Sequence, residues 1–325
     1  MEETYHKLTQ IINDSDKIIL MTHQNMDLDG FGSLLAMSEI IKSFNKEYYI
    51  LINKVQKNYT ILKSLKAIKE ENIEFNYIYE EDIKDILTNN TYVIIMDVHK
   101  PTIVEVPKLL EQTNNIIVID HHMKCKQYIQ NTKLCYINSN LSSTIEFVTY
   151  YLKNLNLQVN PLIATLMLAG MEIDTNSFNV KTTPETLEAA AYLLRLGADN
   201  IVKLEILKED KDEYMERQKY LENSFVYNNK IAICPLDNRI VSTTVLAQIA
   251  QNLLQFDNIE MSFCIGFIKE NQIGISARSI GRKNVEKIMN NLGGGGHMNE
   301  AATQIDDINI ESATNILMNE IEKTM

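Results

Sequence analysis

Two nearly continuous apolar runs, YVIIMD (92–97) and NIIVIDHH (115–122), end in carboxylates and imidazoles. A strand that is apolar at every position, and not only at every second one, is buried on both faces, as in a parallel sheet with helices on either side. KIILMTH (17–23) and EYYILIN (47–53) read as further strands, and FGSLLAMSEIIKSF (31–44) reads as a helix between them. Strands alternating with helical patterns predict an α/β fold with a doubly wound, mainly parallel sheet.

From about residue 142 the chain turns helical, with patterns over 142–156, 161–173 and 184–196. The charged stretch 199–226 mixes both signs and reads as a solvated helical linker, not a binding patch. A second, smaller α/β unit follows. KIAICPL (230–236) reads as a strand and 242–255 as a helix. MSFCIGFIKE (261–270) and QIGISARS (272–279) read as a hairpin around Glu270-Asn271. NVEKIMNNL (284–292) is a helix ending at four glycines, and 309–323 is a last helix. The expected organisation is a catalytic domain over 1–195, a linker over 196–228 and a substrate domain with a Gly-rich loop over 229–325. The 325 residues suffice for that at roughly 100–200 residues per domain.

The formal net charge of −12 excludes a surface for gripping long nucleic acid, which needs a basic face. A small phosphate-bearing ligand is still compatible if bound cations reverse the local field. Cys125, Cys135, Cys234 and Cys264 contain no CxxC pair, so neither a zinc ribbon nor a disulfide framework is expected. A reducing, cytoplasmic setting follows. The start MEETYHKLTQ is polar and acidic, unlike a signal peptide, and no apolar run approaches the ~20 residues of a membrane span. No membrane contact is expected of this chain itself.

Polar residues gather at the ends of the apolar segments. His23, Asp27 and Asp29 follow the first strand, Asp97 closes YVIIMD, and Asp120, His121 and His122 close IIVIDHH. Asp174 sits in MEIDTNSF after a very apolar helix. One Asp after a strand is a turn former or helix cap. SSTIE (142–146), with Ser143 and Glu146 spaced for a capping box, is read that way. Four such segments together need another reason, because the carboxyl ends of parallel strands share one edge. Carboxylates crowded there repel one another unless divalent cations join them. A ligand set of oxygen and nitrogen without sulfur favours Mn²⁺ or a similar ion over structural zinc.

The segments THQNMDLDG, IIMD, IDHH and IDTNSF resemble the DHH phosphoesterase superfamily, over nearly the whole chain. The resemblance implies two divalent ions, Mn²⁺ preferred and Mg²⁺, Co²⁺ or Fe²⁺ the alternatives. One would be held by His23, Asp27 and Asp97 and the other by Asp29, Asp97, His121 and Asp174, with Asp97 bridging. It places Asp97, Asp120 and His122 in the catalytic group, the last two orienting ligands or meeting the phosphate. Met26 departs from the Pro often found there, at a position that is no ligand. In-line attack of activated water on phosphorus is the implied chemistry, with no side-chain nucleophile.

NLGGGGHMNEAA (291–302) resembles the substrate loop of the DHH-associated domain. The resemblance assigns substrate binding to Gly294, Gly295, Gly296 and His297. Ser276 and Arg278 of GISARSIG (274–281) join them, since Arg suits planar phosphate contact; Arg282 is as readily a plain surface arginine. Together these segments most resemble the catalytic module of GdpP-type cyclic-di-AMP phosphodiesterases, either as an excised module of a membrane-anchored protein or as a free-standing relative. The implied reaction is hydrolysis of cyclic di-AMP to pApA, with cyclic di-GMP a weaker substrate. The competing reading is a nanoRNase or pAp phosphatase acting on short oligonucleotides or 3′-phosphoadenosine phosphate. An inorganic pyrophosphatase fits the glycine loop poorly, and a catalytically dead nucleotide sensor is at odds with a full ligand set. A homodimer is implied by the resemblance alone.

Overall fold

The apolar runs become the central strands of a six-stranded sheet. The computed structural model describes residues 1–56 and 58–324, with the backbone alone described at His297. Two compact units divide at Lys208/Glu209.

The first unit opens with helix α1 (Glu2–Asp14), followed by β1 (Lys17–Met21), α2 (Leu28–Ser43), β2 (Glu47–Leu51), α3 (Tyr59–Glu70) and β3 (Tyr77–Ile78). Then come the short α4 (Ile83–Ile86), β4 (Thr91–Met96), β5 (Ile116–Asp120) and β6 (Leu134–Ile137). Four helices close the unit: α5 (Thr144–Asn154), α6 (Pro161–Asp174), α7 (Pro184–Arg195) and α8 (Asn200–Leu207). The strands run in the order β3-β2-β1-β4-β5-β6, every pair parallel. Alternate residues divide between two cores: Ile18, Leu20, Ile94, Met96, Ile117 and Ile119 face the long helices, while Ile19, Met21, Val93, Ile95 and Val118 face the other side. Burial on both faces explains why these strands read as unbroken apolar runs.

In this strand order the chain reverses direction between β1 and β4. Ligands of open α/β sheets bind at such a switch point, outside the carboxyl ends of the strands. Helix α2 begins at Leu28 and not at the expected Phe31, because the Asp27 carboxylate caps it by accepting from the Gly30 N–H at 3.0 Å. The helix thus starts inside the polar motif. Helices α2 and α6 cross closely at Gly170, where a Cβ would stand 2.6 Å from the Leu28 carbonyl oxygen. That contact brings the end of α6, which carries Asp174, near the start of α2, which carries Asp29.

The second unit comprises α9 (Lys211–Glu222), β7 (Phe225–Tyr227), β8 (Ile231–Ile240), α10 (Thr243–Leu253) and β9 (Met261–Lys269). It continues with β10 (Gln272–Ser279), α11 (Val285–Asn291), β11 (Gly295–His297), β12 (Glu300–Asp306) and α12 (Ile310–Thr324). Its sheet order is β11-β12-β10-β9-β8-β7, antiparallel except for β8 on β9. The hairpin around Glu270-Asn271 is present as β9–β10.

The charged stretch 199–226 is not one linker helix. It breaks at Lys208–Asp210, where Asp210 caps α9 through the N–H groups of Asp212 and Glu213. Before the break, α8 buries Ile206 in the first core. The Lys63 ammonium meets the carbonyl oxygens of Glu205 (2.9 Å), Ile206 and Lys208, which the end of α8 leaves unpaired. The helix therefore belongs to the first unit's fold. Among the described residues, no helix is long and apolar enough to cross a membrane.

Candidate metal centre

The six residues expected to ligate metal, His23, Asp27, Asp29, Asp97, His121 and Asp174, converge on the switch-point edge. Asp97 is their centre. It follows β4 with φ +64°, a left-handed conformation uncommon outside glycine but tolerated by Asp. Its N–H still donates to the Ile119 carbonyl at 2.9 Å, so the chain turns without leaving the sheet. Oδ2 faces His23 Nε2 at 3.5 Å, and Oδ1 faces His121 Nε2 at 3.4 Å. The two oxygens of one carboxylate thus point at different groups. One is His23, Asp27 and Asp97, with His23 Nε2 at 3.7 Å from Asp27 Oδ1. The other is Asp29, His121 and Asp174, with His121 Nε2 at 3.6 Å and 3.1 Å from the two carboxylates. The ligand atoms within each group lie within 4.8 Å of one another, as do those of Asp97, His121 and His122.

The electrostatics are those of a crowded cluster of carboxylates and imidazoles. Among the described residues, only imidazoles form ion pairs with Asp27, Asp29, Asp97, Asp120 and Asp174; no Lys or Arg does. Burial pushes the Asp29 carboxyl well above its usual range, and the Asp97 and Asp174 charges add to this. Burial also raises Asp174. Asp97 goes the other way: burial opposes its charge, but the facing imidazoles of His121 and His23 prevail and hold it well below the usual range. Burial works against a charged His23, yet Asp27 and Asp97 lift it to about 10. His121 is raised well above its ordinary value by Asp174 and Asp97, again against burial. Among the described residues, neither nitrogen of the buried His121 ring has a hydrogen-bond partner of good geometry. A buried polar atom aimed at carboxylates without a hydrogen bond is costly unless something else fills the gap. Divalent cations fit this donor set: they need unprotonated imidazole nitrogen and carboxylate oxygen, and they relieve the repulsion.

Asp120 and His122 stand beside this cluster. Asp120 Oδ1 accepts from the His122 N–H at 3.0 Å and lies 2.8 Å from His122 Nδ1, while Oδ2 meets His99 Nδ1. The hydrogen bonds from His122 and His99 outweigh burial and hold Asp120 down at about 2. His99 Nε2 accepts from the Cys125 N–H at 3.0 Å, which places its proton on Nδ1, toward Asp120. His122 is half exposed and is tethered to Asp120 through Nδ1. His99 has no sequence signal beyond its closeness to Asp97.

Thr144 also lies in the site, hidden in a segment that reads as a helix cap. The Ser143 hydroxyl does cap α5, accepting from the Glu146 N–H at 3.2 Å. The Glu146 carboxylate does not close a capping box. It accepts from Ser142 N–H (3.1 Å), the Ser142 hydroxyl (2.5 Å) and the Thr186 hydroxyl (2.9 Å).

In the second unit the strand register aligns the expected substrate residues. Ser276 and Arg278 share one face of β10, opposite the core face of Ala277. Gly295, Ala302 and Ser276 form one row across β11, β12 and β10, and His297, Glu300 and Arg278 form another. Arg278 is half-buried and donates to the Ser276 hydroxyl at 3.3 Å; Arg282 is exposed. The side chain of His297 lies outside the described residues. The glycine run is also closely packed against its own neighbours. Gly294 donates its N–H to the Met289 carbonyl at 2.8 Å, and a Cβ there would stand 2.1 Å from the Ala302 oxygen. Gly296 has φ +149°, and its Cβ would stand 2.4 Å from the Glu300 oxygen. Gly295 alone combines an ordinary φ with room for a side chain.

A doubly wound sheet with a His/Asp cluster at its switch point defines an α/β protein whose clustered side chains could hold metal ions. The chain belongs to the DHH family: residues 17–171 match the DHH family N-terminal domain, and residues 228–323 match the DHHA1 domain. It is 34% identical over 324 residues to the cyclic-di-AMP phosphodiesterase GdpP of Bacillus subtilis, covering 98% of this chain and 49% of that protein. It is 32% identical over 320 residues to the cyclic-di-AMP phosphodiesterase PdeA of Listeria monocytogenes, covering 97% and 49%. The chain spans about half the length of these curated relatives. Among solved structures, an exopolyphosphatase-related protein from Bacteroides fragilis superposes with a TM-score of 0.79 at 17% identity, covering 99% of this chain and 96% of that one. RecJ from Thermus thermophilus in complex with Mn²⁺ gives 0.52 at 11% identity, covering 98% and 54%. These likenesses support the α/β fold.

Proposed function

We propose that this chain is the catalytic part of a divalent-metal phosphodiesterase that hydrolyses cyclic di-AMP to pApA. The observation that carries the reading is Asp97, whose two oxygens face two separate His/Asp groups. The names of the relatives at 34% and 32% identity supply the substrate class. His23, Asp27 and Asp97 would hold one ion, and Asp29, Asp97, His121 and Asp174 the other. Mn²⁺ suits these oxygen and nitrogen donors. Two such ions supply water activation near neutral pH and neutralise charge on the phosphoryl oxygens.

The chain's own residues do the rest. Asp97 keeps the two groups in one frame. Asp120, fixed by His99, holds His122 through Nδ1, and Nε2 would donate to a phosphoryl oxygen. Arg278, with its paired donors, and Ser276 would bind phosphate, with the backbone at Gly295 close by. Cyclic di-GMP would be a weaker substrate. Of the cysteines, Cys234 and Cys264 are buried thiols, in keeping with a reducing cytoplasmic setting.

The test is Asp97→Asn, which keeps the shape and removes the shared charge. Mn²⁺-loaded wild-type protein turns over cyclic di-AMP and stops when a chelator is added. The variant folds normally and loses about a hundred- to a thousandfold in kcat, the scale of removing a principal electrostatic contributor. Undiminished turnover by Asp97→Asn with Mn²⁺ present would refute the assignment.

A further inference from the structure

The start of α5 joins two of the motifs that supply the metal centre. The Thr144 and Ile145 N–H groups donate to Oδ2 and Oδ1 of Asp29, each at 2.8 Å. A carboxylate delivered by the first turn of α2 thus satisfies the first free donors of a helix far along the chain. The Thr144 hydroxyl reaches in the other direction, to Oδ1 of Asp97 at 3.0 Å. Asp97 as a carboxylate can only accept, so the hydroxyl donates. One fully buried residue thereby touches the carboxylates of two separate motifs.

We propose that Thr144 is a positioning residue whose hydroxyl sets the rotation of the Asp97 carboxylate, so that Oδ2 serves the His23 group while Oδ1 serves the His121 group. This rests on the two-ion reading above. The torsion that turns an Asp carboxylate is broad and roughly two-fold, so its own preference leaves the orientation loose. A single short hydrogen bond from a rigid donor decides it. The donor is rigid because its backbone is tied at several points: Ser143 caps the helix, Glu146 binds Ser142 and Thr186, and the Thr144 N–H is held by Asp29. Thr144 has a branched Cβ, which further restricts its hydroxyl. No assignment of metal ligands includes it, because its oxygen acts on the ligand and not on the ion.

The experiment uses the full chain and Mn²⁺ alone. Thr144→Val preserves shape and the N–H to Asp29 while deleting the hydroxyl; Thr144→Ser keeps the hydroxyl. Titration calorimetry on metal-free protein reads the affinity and number of ions, and electron paramagnetic resonance reads the exchange-coupled signal of a Mn²⁺ pair. Thr144→Val is expected to lose roughly ten- to a hundredfold in affinity for one of the two ions, the range for losing a hydrogen bond to a ligating group. Its coupled signal weakens, and Thr144→Ser restores both. Thr144→Ala against Thr144→Ser isolates the same hydroxyl should the valine variant fail to fold. Two ions bound by Thr144→Val as in the wild type, or a Thr144→Ser as weak as the valine variant, overturns the proposal. A wild-type chain that takes up one ion sinks the two-ion reading separately. Thr144 is then judged on that ion, and equal affinity in wild type, Val and Ser variants overturns it.

Discussion

Gly294→Ala and Gly295→Ala stand side by side in one loop and should have very unequal consequences for stability. At Gly294 an added Cβ lies 2.1 Å from the Ala302 carbonyl oxygen and 2.7 Å from the Thr303 Cα. Both neighbours are backbone of β12, so no rotamer change relieves the clash. The segment must move by about 1 Å to restore an ordinary contact of at least ~3 Å, a separation that real packing demands. The adjoining β11–β12 ladder is short, registering only Gly295 to His297 against Glu300 to Ala302. Losing two or three of its hydrogen bonds, at roughly 1 kcal/mol each, gives a loss of ~2–3 kcal/mol. At Gly295 the nearest atom is Asn290 Oδ1 at 3.4 Å and φ is ordinary, so the change stays within about 0.5 kcal/mol. Thermal unfolding of the chain, followed through the second unit, checks this. Gly294→Ala should lower its midpoint by roughly 10 °C and Gly295→Ala by no more than a degree or two. Equal shifts for the two variants would show that close approach of β11 to β12 is not what this glycine run provides.

The metal-free centre holds protons where ions would sit. His23 is lifted to about 10, so its imidazole carries a proton at pH 7 and must release it to ligate, and His121 is shifted in the same direction. Mn²⁺ affinity should therefore fall as pH drops, and calorimetry in two buffers of different ionisation enthalpy should report net proton release; buffer-independent heats would contradict it. For the metal-free fold the sign follows the same shifts. Stability from the raised His23 is complete below its unfolded value of ~6.5 and is lost as pH rises through about 10. That from the depressed Asp120 is present above ~3.9 and lost as pH falls toward about 2. Glu146→Ala strands the Ser142 N–H and two hydroxyls in the core, and should destabilise the fold by about 2–4 kcal/mol in denaturant titration; a change below about 0.5 kcal/mol would mean those groups find other partners.

The central strands were legible because burial on both faces writes itself into the sequence as unbroken Val and Ile. The clustering of carboxylates and imidazoles was legible for a related reason: one Asp at a strand end serves as a turn former or cap, but four polar segments sharing one sheet edge need a further role. Strands β3 and β6 escaped notice because they are short and only partly buried, leaving little periodicity to read. The break at Lys208–Asp210 was obscured by charges that suit a solvated helix as well as the two caps that form. Thr144 was invisible for a different reason. Ser143 satisfies the local capping pattern, while the carboxylates that Thr144 serves lie 115 and 47 residues away. The glycine run carried a further requirement that its sequence does not announce: Gly294 and Gly296 are required by backbone that approaches to within 2.1 Å and 2.4 Å of where a side chain would begin.

Chromatography of products from Mn²⁺-loaded protein, offered cyclic di-AMP, pApA and pAp in parallel, tests the proposed reaction most directly. The account predicts that cyclic di-AMP is converted to pApA and that pApA then accumulates. Consumption of pApA or pAp while cyclic di-AMP persists would contradict it, and would make the chain a nanoRNase or pAp phosphatase built on the same metal centre.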